Sequence, residues 1–171
     1  MFQPGDLVVH GATGVCRVEA VTRPAISGAD RNKDYYQLKP LLQDGVIYSP
    51  VDSPKVRLRP VISRAEAEAL IERIPSLQAE VCRAASLQAL AQHYQTLLRS
   101  GDCELLTELT MSIYCKRQEL ERQKRRLGSV DERFFRQAER LLFGELSAAL
   151  DIPYEDVPAY IARRVEEAAV K

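Results

Sequence analysis

Between Lys116 and Arg140 the chain carries nine Lys and Arg residues against five Asp and Glu, a local charge of +4 on a protein that is formally neutral. Lys116, Arg117, Arg122, Lys124, Arg125 and Arg126 crowd the end of one helical pattern, and after Gly128-Ser129 a second pattern carries Arg133, Arg136 and Arg140 on its polar side. Ammonium and guanidinium groups gathered at the corner of an αα-hairpin can hold phosphates or another polyanion in one orientation. The same residues also fit a solvated helix face laced with i,i+4 pairs such as Glu121 with Arg125. From the residues alone both readings stand.

Other chemistries find little material. There is no Gly-rich phosphate loop, no His-Glu-x-x-His and no nucleophile motif, and His93 beside Tyr94 fits a helix surface or core better than a catalytic base. Cys16, Cys82, Cys103 and Cys115 form no Cys-x-x-Cys pair, and only His10 and His93 could join them, so zinc-ligand spacing is absent. The thiols are expected to be small buried hydrophobes. A non-enzymatic protein is expected, with no cofactor, no metal and no small-molecule substrate. No stretch approaches the roughly 20 apolar residues of a membrane span, and Met1-Phe2-Gln3-Pro4-Gly5-Asp6 is no signal peptide. The expected location is cytoplasmic.

The cationic corner must be positioned by helices. Ser63-Arg64-Ala65-Glu66 reads as a capping box opening a helix over Ala67, Leu70, Ile71 and Ile74, which Pro75 ends. The run from Ser76 to Ala85 fits a helix or a loop. A second helix from about Ser86 to Arg99 is expected to bury Leu87, Leu90, Tyr94 and Leu97 or Leu98, and Gly101 to stop it. Asp102 can cap the third helix, whose stripe is Leu105, Leu106, Leu109, Ile113 and Leu120. Ser129-Val130-Asp131-Glu132 reads as another capping box. The helix after it has the stripe Phe134, Ala138, Leu141, Leu142, Glu145, Leu146 and Ala149 and should be the spine of the domain. Asp156-Val157-Pro158 opens a last helix over Ala159, Ile161, Ala162 and Val165.

The first third reads differently. Leu7-Val8-Val9-His10, Val15 to Val21, Tyr35 to Lys39, Val46 to Ser49 and Val56-Arg57-Leu58 are short apolar runs joined by turn residues, with Asp44-Gly45 a strong hairpin signal. Five strands in about 50 residues fit an SH3-like or Tudor-like barrel, a module that interacts far more often than it catalyses. Tyr35 and Tyr36 must point to opposite faces, so one of them is expected to be exposed. Tyr35, Tyr36 and Tyr48 could be core or part of a protein-binding face. The expected fold is therefore α+β, a small β-barrel over residues 1–60 followed by an all-α domain of about five helices over 61–171.

In order along the chain, Pro4-Gly5-Asp6-Leu7-Val8-Val9, Gly14-Val15-Cys16-Arg17-Val18-Glu19, Tyr35-Tyr36-Gln37-Leu38-Lys39-Pro40 and Ile47-Tyr48-Ser49-Pro50-Val51-Asp52 resemble the CarD family of bacterial transcription regulators. The N-terminal domain of that family is shared with transcription-repair coupling factors. Ser100-Gly101-Asp102, Asp131-Glu132-Arg133 and Ala138-Glu139-Arg140-Leu141-Leu142-Phe143-Gly144-Glu145 carry the likeness through the helical part. The resemblance implies a Tudor-like domain that binds the RNA polymerase β subunit; strand addition is the physically natural mode of docking, and the contact is expected on Arg23, Tyr36, Leu38 and Tyr48. It also implies a helical domain on promoter DNA at the upstream edge of the transcription bubble, tuning the stability of the melted complex. Lys116, Arg117, Arg122, Lys124, Arg125, Arg126, Arg133 and Arg136 would meet the DNA backbone. Members of that family place a tryptophan wedge in the minor groove beside the bubble; here the position falls on Leu87, flanked by Gln88 and Ala89, in a chain without tryptophan. Leucine can serve as a wedge or be core. A monomer is expected, and the alternative is a polymerase-tethered adaptor whose helical domain binds another protein.

Overall fold

A computed structural model describes residues 1–52, 58–77 and 80–170. The chain divides into two compact units, Met1–Val61 and Ile62–Lys171.

The first unit is a five-stranded antiparallel sheet. Its strands are β1 (Leu7–His10), β2 (Gly14–Thr22), β3 (Tyr35–Pro40), β4 (Ile47–Pro50) and β5 (Leu58–Pro60), in the order β4-β3-β2-β1-β5. Among the described residues the sheet is open, with β4 and β5 at its edges. Of the expected fifth strand, Val56 and Arg57 lie outside the described residues, and the pairing to β1 is made by Leu58–Pro60. Period-two alternation sends Val8, Cys16, Val18, Tyr36 and Leu38 into one core, with Phe2, Ile47, Val51 and Leu58 against it. Gly45, at φ +113, supplies the left-handed residue in the connection between β3 and β4.

The expectation that one of Tyr35 and Tyr36 is exposed fails: they are 8% and 4% exposed. They do point to opposite faces, but both faces are covered. Tyr36 stands edge-on to Phe2 at 5.8 Å and its hydroxyl accepts from the Phe2 amide. The segment between β2 and β3 covers Tyr35, whose hydroxyl accepts from the Asp30 amide at 2.9 Å.

Among the described residues the second unit has five α-helices: α1 (Arg64–Arg73), α2 (Leu87–Ser100), α3 (Cys103–Arg122), α4 (Ser129–Leu150) and α5 (Val157–Val170). Ser63 and Glu66 close the capping box of α1 in both directions. Pro75 sits in a 3-10 turn after α1, and the described residues from 77 to 86 are not helical. Gly101, at φ 65, ends α2 in the left-handed conformation, and the Asp102 carboxylate then accepts from the Glu104 and Leu105 amides to open α3. Helix α4 packs on α1, α2, α3 and α5 and places Phe134, Ala138, Leu142, Leu146 and Leu150 in the common core. Glu145, buried in that stripe, accepts from the Ile62 amide at 3.0 Å, which gives the buried carboxylate a donor. In α5 the first residue, Val157, is fully buried, whereas Ala159 and Ala162, expected inside, are exposed. Arg164 fastens this helix to Glu68 and Glu72 of α1, each at 3.0 Å.

Candidate nucleic-acid interface

The cationic corner begins where α3 unwinds. The Arg125 amide donates to the Leu120 carbonyl at 2.8 Å and the Lys124 amide to the Glu121 carbonyl at 2.9 Å, with Lys124 left-handed at φ 57. This is the Schellman pattern, with lysine where glycine is usual. Because the chain leaves the helix here, Arg125 no longer lies one turn above Glu121, and the expected i,i+4 pair is absent among the described residues. Arg122, Lys124, Arg125 and Arg126 are all exposed, and none forms an ion pair among the described residues.

The chain re-enters a helix at Gly128, not Ser129. Gly128 is the N-cap of α4, without a side-chain cap, and its carbonyl accepts the Glu132 amide at 3.1 Å. The second capping box is therefore not formed. Asp131, in the first turn and in helical phase with Phe134 and Ala138, faces inward, only 4% exposed. There one carboxylate oxygen accepts from the Tyr94 hydroxyl of α2 at 2.6 Å, and the other lies 2.9 Å from Lys116 Nζ of α3. Tyr94 is 1% exposed and its ring lies 5.5 Å from that of Phe134. Burial, with the Asp131 bond second, holds its hydroxyl well above the usual tyrosine range, so it stays a donor.

The eight cations expected on DNA therefore do two different things. Lys116 is half-buried and committed to Asp131. Arg117, also half-buried, lies over the Phe135 ring at 4.5 Å, and Arg133 is exposed but stacked over Phe134 at 4.8 Å. Arg136 is exposed on α4 and belongs with Arg122, Lys124, Arg125 and Arg126 on the open surface.

Leu87 is not core, contrary to expectation: it is 69% exposed. It is the first residue of α2, immediately after Ser86, whose hydroxyl caps the helix by accepting from the Ala89 amide. The segment leading to it tracks α3 toward the basic end. Ser112 donates to the Glu80 carbonyl at 2.7 Å, and further along Arg83 reaches both carboxylate oxygens of Glu119 at 3.0 Å. The chain then reverses at Leu87 into α2. The start of α2, the end of α3 and the start of α4 thus share one end of the helical unit. Exposed Leu87 and the open cations Arg122, Lys124, Arg125 and Arg126 belong to elements that converge on this end, residue types able to meet phosphates and offer an apolar tip. Sequence periodicity hid Leu87, since its spacing to Leu90 and Tyr94 matches a buried stripe; the Ser86 cap was the signal that it begins a helix.

On the sheet unit, Arg23 is exposed and held by Asp34 at 2.9 Å. Tyr36 and Leu38 are core, so their side chains offer no surface. Tyr48 is half-buried on edge strand β4 opposite Gln37, on the other face from Tyr36 and Leu38. Leu41 and Leu42, which strand patterning did not mark, and Val46, expected in the fourth strand, are exposed apolar residues in the connection between β3 and β4. The Cys16 thiol is fully buried, which pushes it up to about 11, and the four cysteines are unbridged. Among the described residues no His, Cys, Asp and Glu side chains are grouped to hold a metal ion, and no helix is long and apolar enough to cross a membrane.

Residues 2–62 match the CarD-like/TRCF RID domain. No curated protein matches the chain.

Proposed function

The chain carries a CarD-like/TRCF RID domain, and we propose that it is a transcription regulator, not an enzyme, tethered by that domain to the RNA polymerase β subunit. The sheet unit would be a Tudor-like module docking by strand addition. Edge strand β4 has a partner on only one side among the described residues, and main-chain bonds along such an edge give affinity while alternate side chains give specificity. Tyr48, Arg23 and the exposed Leu41, Leu42 and Val46 would supply the side-chain contacts. Tyr36 and Leu38 would shape the strand from inside.

The helical unit would contact promoter DNA at the upstream edge of the bubble. The observation that supports this reading is the exposure of Leu87 at the start of α2 and of Arg122, Lys124, Arg125 and Arg126 at the end of α3, with the segment before α2 running along α3 toward that end. Phosphate contacts would position the protein without reading sequence, and Leu87 would enter the minor groove between base steps as a wedge. The result would be a changed lifetime of the melted complex.

The test is the triple reversal K124E/R125E/R126E, with fork-DNA affinity and open-complex lifetime measured with polymerase. Loss of both with polymerase binding intact is the expected outcome. Unchanged values would turn the helical unit into a protein adaptor, and failure of the intact chain to bind polymerase would remove the tether.

A further inference from the structure

We infer that Asp131 is a positioning residue, one that locks the helix bearing Leu87 to the basic corner so that wedge and cations meet the same DNA at a fixed offset. The inference rests on the DNA-contact reading above for its purpose, but its geometry is independent of it.

Leu87 belongs to α2 and the open cations to the end of α3 and the start of α4, so something must hold three helices in one arrangement. The Tyr94 and Phe134 rings meet here, but apolar contact tolerates sliding and rotation. The two bonds to Asp131 do not, because hydrogen bonds and ion pairs lose their energy quickly with distance and angle. Asp131 uses one oxygen for α2, through Tyr94, and the other for α3, through Lys116, while its own backbone is the first turn of α4. It is one side chain fastening all three helices. A buried ion pair is a poor device for stability alone, since apolar side chains of similar volume often do as well, whereas fixing one arrangement is a role it can fill.

The lever arms make the arrangement matter. Leu87 lies seven residues before Tyr94, about 10 Å along α2 at about 1.5 Å per residue. A rotation of α2 by about 10° at the network would therefore move the wedge by about 2 Å. Displacement on that scale separates a productive site from a loose one.

Spin labels carried on noncanonical amino acids at the exposed positions Gln88 and Gln137 leave the four cysteines in place. They report the α2–α4 distance in the full chain by pulsed electron resonance. The native protein should give one narrow distance. Tyr94→Phe, which deletes only a hydroxyl, and Asp131→Asn should broaden or shift it by about 2 Å with helical circular dichroism unchanged. Fork-DNA affinity should then fall at least about fivefold, and Leu87→Ala should lose most of its own effect in the Tyr94→Phe background. An unaltered distance distribution in Tyr94→Phe overturns the inference, and that variant decides the matter if Asp131→Asn does not fold. The reversal K124E/R125E/R126E should lose DNA while keeping the native distance. If it keeps DNA instead, the proposed function fails while the distance measurement still judges Asp131.

Discussion

Lys116→Met separates the structural cations of the corner from the open ones. It keeps the aliphatic stem and deletes the ammonium that lies 2.9 Å from Asp131, whose side chain is 6% exposed. At an effective dielectric of about 20, charges that close attract by about 6 kcal/mol, but most of this offsets the dehydration of both groups. What the variant loses is set by the carboxylate left behind. Stranding one member of a buried pair costs about 3–5 kcal/mol. Lys116 has 21% of its side chain open to solvent, so water can reach the vacated oxygen while Tyr94 still serves the other, and the expected cost falls to about 2–3 kcal/mol. Urea unfolding should show this as a lower midpoint with an unchanged slope. Adding Asp131→Asn removes the stranded charge and should restore most of the loss, giving a coupling of about 1–2 kcal/mol. Arg125→Met, by contrast, should stay within about 0.5 kcal/mol of the native protein. A Lys116→Met cost below about 1 kcal/mol, or an equal cost with and without Asp131, would refute the account of Asp131 as a carboxylate held by Lys116.

Lys124→Gly should relieve the left-handed strain at φ 57 and stabilise the fold by about 1 kcal/mol, while lowering the slope of log affinity against log salt on fork DNA by about 0.9; a thermal melt and a salt titration check the two halves. Leu87→Ala should leave stability within about 0.5 kcal/mol yet shorten the open-complex lifetime, and Leu87→Trp should lengthen it, both read with polymerase on one promoter. Ser63→Ala and Asp102→Ala should each cost about 1 kcal/mol as lost N-caps, whereas Ser129→Ala should cost almost nothing in the same urea assay. Burial holds the Glu139 carboxyl above its usual range, against the opposing pull of Arg117. The folded state therefore favours its protonated form, and the stability this group contributes is present below the unfolded pKa of about 4.3 and lost as pH rises through the folded value. Glu139→Gln should raise the melting midpoint near neutral pH and lose that advantage in acid.

The elements were legible where one local rule decided them. Ser63, Ser86, Gly101 and Asp102 start or stop helices at the expected places because capping is settled within a few residues. Ser129 obeys the same rule on paper and fails, because the helix already begins at the Gly128 cap; that Asp131 meets Tyr94, 37 residues away, is a contact no local rule could show. Tyr35 was misjudged for a related reason. Alternation fixes the face on which a residue lies but not whether a loop covers that face. Leu87 erred in the opposite direction, a helical apolar residue that begins its helix beyond the edge of the core. For Lys116, charge pattern could not separate a cation turned inward from one left open, because its partner sits 15 residues further on, in another helix.

The charge pattern of the helical part also explains how a weak corner could act in one orientation. Residues 61–171 carry sixteen basic and eighteen acidic side chains, and nine of the basic but only five of the acidic ones fall between Lys116 and Arg140. The rest of the unit is therefore negative, and a phosphate backbone that attracts the corner repels everything else. Such a field steers approach more than it adds affinity. With five open cations the salt slope on duplex DNA would be at most about −4.5, too small for tight binding by the free protein at cellular salt. Held beside DNA by polymerase, the same surface works at the high effective concentration that a tether supplies. An excess of added free helical unit should then compete poorly with the intact chain at a promoter, while raising salt should abolish DNA contact before it releases the polymerase.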